Sequence, residues 1–350
     1  MIHSHAWGRL FALTALLLLM TAPSLRAEKH LRLTFTGDVT LGSEEKLRAE
    51  DFSLDTFAAQ NGDGYFFDKV HTLFDGDDLT VVNLEGVLSD SSRGENKKKT
   101  YRFRGPTAFT SILTAGGIEA VSLANNHTLD YGQSGYNATV DALDAAGISH
   151  FGSRSTFVFQ KYGLKVGFLS LNTTEVGKSK KWARSEIRRL RQEEGVNAVV
   201  FIFHAGQEYN KHRIKAQENH AHFAIDAGAD LVIMHHPHVV QGMELYKDRS
   251  ICYSLGNFCF GGNRNVRAME SLVVAADLLF TDEGDYIGQQ LSLYPAHISG
   301  TYPKSNYQPH LVTGEDAAKV LSLVQNDTKF TLAPFDEALG CAVQDFLPAK

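Results

Sequence analysis

The sequence predicts an α/β fold in which a largely parallel sheet is covered by helices, and two observations carry that prediction. Short β-rich runs alternate with segments of helical period from residue 31 to residue 255, the pattern of strands buried on both faces. Five of those runs deliver a carboxylate, an amide or an imidazole at the same end, and in open α/β sheets that end is where ligands bind.

The strand runs are 31–36, 79–82, 120–123, 164–171, 198–203, 231–234 and 251–255. They are short and rich in Val, Ile, Leu and Phe, which favours strand over helix. Between them, segments 66–74, 107–115, 134–146, 184–194 and 213–227 space their apolar residues at three and four, as amphipathic helices do. Runs 270–280 and 289–294 follow one another with no helix between, which predicts an antiparallel second sheet near the C-terminus. Residues 301–350, with a helical stretch near 314–325, are expected to pack on the same domain and close that sheet.

With 350 residues, 43% of them hydrophobic and 21% charged, the chain has enough apolar material for one large core. Its first residues stand apart: His3, His5 and Arg9 precede an apolar stretch at 10–20, and small and polar residues lead to Ala27. That is the layout of a signal peptide ending at residue 27, although Leu25 departs from the small residue preferred there, so a membrane anchor over 10–25 is the alternative. The expected location is periplasmic or extracellular. A formal charge of −6 argues against nucleic acid as a partner, and losing Arg9 and Arg26 with the leader makes the remainder more acidic still. Cys252, Cys259 and Cys341 are odd in number and lack metal-type spacing; they read as buried free thiols.

The strand ends carry the chemistry. They are Gly37-Asp38-Val39-Thr40, Asn83-Leu84-Glu85-Gly86, Asn125-Asn126-His127 with Asp130, His204 followed by Glu208 and Tyr209, and His235-His236-Pro237-His238. Any one alone reads as a cap or turn. Together, Asp38, Glu85, Asn126, His204, His236 and His238 are oxygen and imidazole donors without a thiolate, a set suited to hard or borderline divalent ions. Six donors with two carboxylates exceed one tetrahedral zinc and suit a pair of ions sharing a carboxylate.

The stretches GDVTLG, NLEG, SLANNHTLDYG, FHAGQEY and GADLVIMHHPHVVQGMELYKDRSICYSLGNF resemble the CapA family of poly-γ-glutamate capsule biosynthesis proteins, within the calcineurin-like metallophosphoesterase superfamily. The resemblance spans residues 31–300, and the domain is placed at 28–300. It implies a four-layer α/β/β/α sandwich of two mixed sheets with a dimetal site at the strand ends. On that resemblance Asp38 is the first-motif ligand, Glu85 the acidic bridge and Asn126 the asparagine of the G-N-H motif. His127, paired with Asp130, is the catalytic histidine, His204 the lone metal histidine, and His236 with His238 the final pair. His235 is spare, expected to turn to the opposite side of its strand and pack there. Two departures stand out: Thr40 replaces the histidine of the common D-x-H motif, and Asn125 replaces the glycine of G-N-H.

The expected activity is phosphoester hydrolysis with one or two divalent ions, Mn, Zn, Fe or Mg, in which His127 protonates the leaving oxygen. The alternatives are metal-dependent amide hydrolysis and a non-catalytic accessory protein that binds a polyanion during polymer synthesis or export, with a membrane-bound polymer synthase as partner. Six basic residues lie in residues 93–104. Of these Lys97, Lys98, Lys99, Arg102 and Arg104 are expected to bind the anionic substrate. Glu208, Tyr209 and Asn257 read as wall or supporting residues, and the glycine-rich loop with Arg264 and Arg267 as a further place to meet an anion.

Overall fold

The computed structural model describes residues 29–262 and 265–346, so the leader and Arg264 lie outside the described residues. The strands are Lys29–Thr40 (β1), Leu79–Leu84 (β2), Val87–Leu88 (β3), Arg104–Gly105 (β4), Ala120–Ser122 (β5), Ser149–Phe151 (β6), Phe157–Lys161 (β7), Leu164–Asn172 (β8) and Ala198–His204 (β9). They continue as Leu231–His235 (β10), Met243–Tyr246 (β11), Arg249–Cys252 (β12), Asn257–Phe260 (β13), Glu270–Phe280 (β14), Tyr286–His297 (β15), His310–Leu311 (β16) and Ala342–Phe346 (β17). The α-helices are Leu54–Asn61 (α1), His71–Phe74 (α2), Thr110–Ala115 (α3), Gly132–Ala145 (α4), Thr173–Arg189 (α5), Lys215–Ala227 (α6) and Gly314–Asn326 (α7). None of the helices among the described residues is long and apolar enough to cross a membrane.

One mixed sheet runs β16-β15-β14-β1-β2-β5-β6, with β13 also on β1 and β17 also on β15; the other runs β11-β12-β10-β9-β8-β7. Alternation along the strands sorts their side chains between layers. On β9, Ala198, Val200 and Ile202 enter the cluster between the sheets, where they meet Leu31, Leu33 and Phe35 of β1 and Leu79 and Val81 of β2. The alternate residues Val199, Phe201 and Phe203 join Val176, Ala183 and Ile187 of α5 and Ala221 and Ala224 of α6 on the outer face. Val82, Leu84 and Val121 of the first sheet face the other way, toward Leu54, Ile112, Leu113 and Leu143 of its helices. The result is the four-layer α/β/β/α sandwich of two mixed sheets.

Two expectations change. Runs 270–280 and 289–294 are antiparallel, but β14 pairs with β1, so they extend the first sheet instead of building their own. The chain after residue 300 adds β16 and β17 to β15 of that same sheet. The physical reason is the free edge of β1, whose buried peptide groups at 31–35 need a ladder partner, and β14 supplies it. Of segment 66–74 only His71–Phe74 is helical. Phe66, Phe67, Val70 and Phe74 still bury their side chains in one cluster, so the spacing reported a buried face without requiring a full helix. Conversely α5 begins at Thr173, eleven residues before the expected segment, because Asn172 and Glu175 close a capping box.

Close backbone contact fixes the site end of β1. Gly37 packs against residues 256 and 257, where a Cβ would sit 2.5 Å from the Gly256 carbonyl oxygen, and Gly261 packs so that its Cβ would fall 2.0 Å from the carbonyl oxygen of Gly42. Both neighbours are main chain and cannot step aside. Gly261→Ala is therefore expected to cost about 3 kcal/mol or more, read as a lower urea midpoint at unchanged slope; a midpoint within error of the parent would contradict this packing.

Candidate metal centre

The donors converge because of strand parity. Leu79 and Val81 on β2 face the space between the sheets, and the same alternation carries Asn83 and Glu85 onto that face. On β9 the series Ala198, Val200, Ile202 continues to His204, and on β10 Leu231 and Ile233 continue to His235. Across the gap the Asn83 amide nitrogen lies 3.1 Å from His204 Nδ1 and donates to Asp38 Oδ1 at 2.8 Å. Deeper in, Ser122 and Ser170 share a 2.8 Å hydrogen bond between the two sheets. Asp38 comes into place at register shifts between β1 and both its parallel neighbours, the type of irregularity that re-aims side chains next to functional sites.

Asp38 and Glu85 are fully buried and treated differently by their surroundings. Asp38 takes the Asn83 amide and the His236 backbone N–H at 3.3 Å, with His235 Nδ1 at 3.3 Å and His238 Nδ1 at 3.2 Å. Burial works against its charge, yet the His235 and His238 imidazoles hold the carboxyl well below the usual range. Neither Glu85 oxygen has a hydrogen-bond partner. Its Oε1 instead faces His204 Nε2 at 3.5 Å, His127 Nε2 at 3.7 Å and His238 Nε2 at 3.8 Å. Burial, with the nearby Asp38 charge adding to it, pushes Glu85 well above the ordinary carboxylate range.

An orphaned buried carboxylate ringed by imidazole nitrogens just beyond hydrogen-bond distance fits a divalent cation. Two donor sets offer atoms within 4.8 Å of one another: Asp38, Glu85 and His238, and Glu208, His236 and His238. His238 is common to both. Its Nδ1 meets the Asn257 side-chain oxygen at 2.8 Å, which leaves Nε2 as the nitrogen turned toward Glu85. His236 Nδ1 lies 3.0 Å from His204 Nε2, so a half-buried and a buried imidazole converge on one point. Burial lowers the pKa of both, most strongly for His204, so each keeps a neutral ring able to ligate. In the metal-free chain burial opposes the charge on His238, but Glu85 and Asp38 outweigh it and lift the ring to about 10. His236 and His238 hold φ angles of 99° and 56° around Pro237, a conformation that non-glycine residues adopt only where the surroundings impose it.

Beside the cluster His127 is held by Asp130, with Nδ1 to Oδ2 at 2.6 Å. Asp130 also accepts the Phe103 backbone N–H at 2.8 Å and the Lys99 ammonium. The carboxylate fixes the proton on Nδ1, so His127 Nε2 faces Glu85 and an open pocket walled by Tyr101, Phe103, Tyr209, Phe260 and Arg267. Burial lowers the His127 pKa against the pull of Asp130.

Several sequence-based assignments move. Asn126 is exposed and contributes only its backbone carbonyl, to Lys99 at 2.7 Å. The inward place belongs to Asn125, whose amide donates to Leu84 O at 2.8 Å and Asn83 Oδ1 at 3.2 Å and accepts from His127 N at 3.0 Å. The chain leaves β5 in a turn that buries only the first asparagine. His235 is no bystander: it is buried on the inner face against Asp38, and the parity of 231, 233 and 235 was the signal for it. Glu208, read as a supporting group, stands with His236 and His238. Thr40, in place of a ligand histidine, is buried with its hydroxyl unpartnered. Of the basic run, Lys97 and Lys98 are exposed, while Lys99 is spent on Asp130. Arg102 pairs with Glu95 at 2.9 Å and the buried Arg104 with Glu45 at 2.6 Å. Those two arginines tie the loop down instead of facing the pocket, since acidic partners were in reach.

Residues 32–262 match the model of a family described as bacterial capsule synthesis protein PGA_cap. The chain is similar to the capsule biosynthesis protein CapA of Bacillus anthracis, 28% identical over 303 residues that cover 80% of this chain and 70% of that one. It is similar also to the PGA biosynthesis protein CapA of Bacillus subtilis, at 26% over 66% of this chain and 63% of the relative. A probable polyglutamine synthesis accessory protein of Mycobacterium tuberculosis is 26% identical over 63% of this chain and 66% of that one. Among solved structures, one titled a novel phosphatase from Mycoplasma pneumoniae overlaps 85% of this chain and 99% of its own, at 12% identity and a TM-score of 0.45. The family match covers the strand ends that build the cluster, from Asp38 on β1 to Asn257 on β13, and the chain belongs to the PGA_cap family of bacterial capsule synthesis proteins.

Proposed function

We propose that this chain is a metal-dependent phosphoester hydrolase acting in the synthesis of a capsule or poly-γ-glutamate-type polymer. The observation that carries the reading is Glu85, a fully buried carboxylate with no hydrogen-bond partner, facing three imidazole nitrogens at 3.5–3.8 Å. Asp38, Glu85, His204, His236 and His238 would hold one or two divalent ions, with Glu208 at the open side. Such an ion supplies Lewis acidity toward water and toward a phosphoryl oxygen. The chain's own residues do the rest. Asn83 and His235 steady Asp38, and Asn257 sets the His238 ring. Asp130 holds the His127 proton on Nδ1 and turns Nε2 toward the pocket, where Nε2 takes the proton released by the attacking water and passes it to the leaving oxygen. Phe103 packs against the ring of His127 and Phe260 against that of His238, which helps hold both imidazoles in place. The polymer role rests on the names carried by the relatives, and the apolar segment behind Arg9 supports an exported protein; the N-terminal residue of the protein recovered from intact cells tests that point.

Metal analysis of chelator-treated, reloaded protein is expected to find one or two first-row divalent ions per chain, and His236→Ala to lose at least one. Slow cleavage of bis(p-nitrophenyl) phosphate with Mn²⁺ is expected alongside. Full metal content in the His236 variant would break the site assignment. Metal binding with no turnover under any divalent ion, accompanied by polyglutamate binding that depends on Lys97 and Lys98, would favour the accessory-protein reading.

A further inference from the structure

The pocket over the cluster does not end at its wall. Tyr209 and Arg267 also line an adjoining cleft, completed by Lys211, Val239, Val240 and Leu323. The two spaces therefore share one divider, with the Arg267 guanidinium 5.4 Å from the centre of the Tyr209 ring. That divider is anchored to the site: the Tyr209 backbone N–H donates to Pro237 O at 2.8 Å, and its ring lies 6.2 Å from that of His238. Tyr209 has a φ of 58°, so it is held in the left-handed region by the turn that presents the histidines.

The charges of the second cleft are unbalanced. Its one carboxylate, Glu270, is taken by Lys319 at 2.6 Å. Lys211 and Arg267 are exposed and have no salt-bridge partner among the described residues. They stand over a floor made by Val239, Val240 and Leu323. On a chain of net negative charge, two cations that no carboxylate neutralises among the described residues, Arg267 being held only by Tyr209 and Tyr101, beside apolar side chains suit an anion carried on an aliphatic arm.

We propose that this cleft is a second subsite: a ligand whose reacting group occupies the metal pocket places a second anionic group, on an aliphatic linker passing Tyr209, against Arg267 and Lys211. The inference rests on the proposed reading of the first pocket and adds what selects among its ligands, Arg267 being the specificity-determining residue. Carboxylate and phosphate share the required chemistry, and the test separates them.

The experiment is equilibrium binding, by calorimetry on the metal-loaded protein, of three alkylphosphonates in which a P–C bond replaces the scissile ester, each with the same aliphatic linker on that carbon, ending in a carboxylate, a phosphate or a methyl group. Arg267→Met is expected to weaken the anion-ended analogues about tenfold and to leave the methyl-ended one unchanged. Lys211→Met is expected to act in the same direction with a smaller effect. The larger loss between carboxylate and phosphate names the anion. Equal loss on all three ends would make Arg267 a mere support for Tyr209 and overturn the proposal, as would no loss or no binding of any analogue by the parent. Discriminating binding without turnover of the matching esters would sink the hydrolase reading and leave the subsite standing.

Discussion

Replacing His127 with alanine is expected to lower kcat on a phosphodiester by about 10²–10⁴-fold while leaving the metal content unchanged. His127 is the imidazole that combines a held proton with an open face. Asp130 grips Nδ1 at 2.6 Å, whereas Nε2 stays 3.7 Å from Glu85 and lines the pocket. The donors of the two cation-sized clusters do not include it. Alanine also removes a ring packed 4.6 Å from that of Phe103, so His127→Gln, which keeps more volume, is the companion variant. A side chain that carries the proton gives a loss in kcat for both variants at intact metal stoichiometry. A parallel fall in bound metal would instead make His127 a ligand, and unchanged kcat would remove it from the mechanism.

Glu85→Gln is expected to separate folding from metal binding. In the metal-free chain burial first, and the Asp38 charge after it, keep Glu85 well above its normal range, and glutamine keeps the shape of the side chain with no charge to bury. The metal-free variant should melt at or above the parent, because an unpartnered buried carboxyl is costly to keep and its ionised form costlier still. Metal reverses the order. An ion at 100 times its Kd adds about 2.7 kcal/mol to the parent, roughly 5 °C in a chain of this size, and the variant should gain almost nothing. A variant that keeps the metal-induced shift would show that the carboxylate is no ligand; one that melts far below the metal-free parent would show that Glu85 is structural.

The strand ends were legible because chemistry and periodicity coincide there. Asp38, Glu85, His204, His236 and His238 are polar residues at the end of runs too apolar to be surface strands, and the structure brings all five together between the sheets. Asn126 failed for a specific reason: adjacent residues in a turn share no fixed parity, and only the folded turn determines that Asn125 goes inward. His235 failed in the opposite way, since its parity along β10 was readable but lost weight beside the H-x-H pattern. The basic run misled because composition reports charge without reporting partners, and Glu45, Glu95 and Asp130 lie 7 to 59 residues from the arginines and lysine they engage.

By itself the sequence determined the alternation that makes two buried sheets and the donor types that suit a divalent ion, because both depend on residue chemistry and short-range spacing. Tertiary structure alone decided that β14 completes the edge of β1, that Glu85 is left without a hydrogen bond, and that Tyr209 and Arg267 divide two pockets. Each of these depends on residues far apart in the chain meeting across a sheet edge or a gap between sheets, and no local pattern encodes such a meeting.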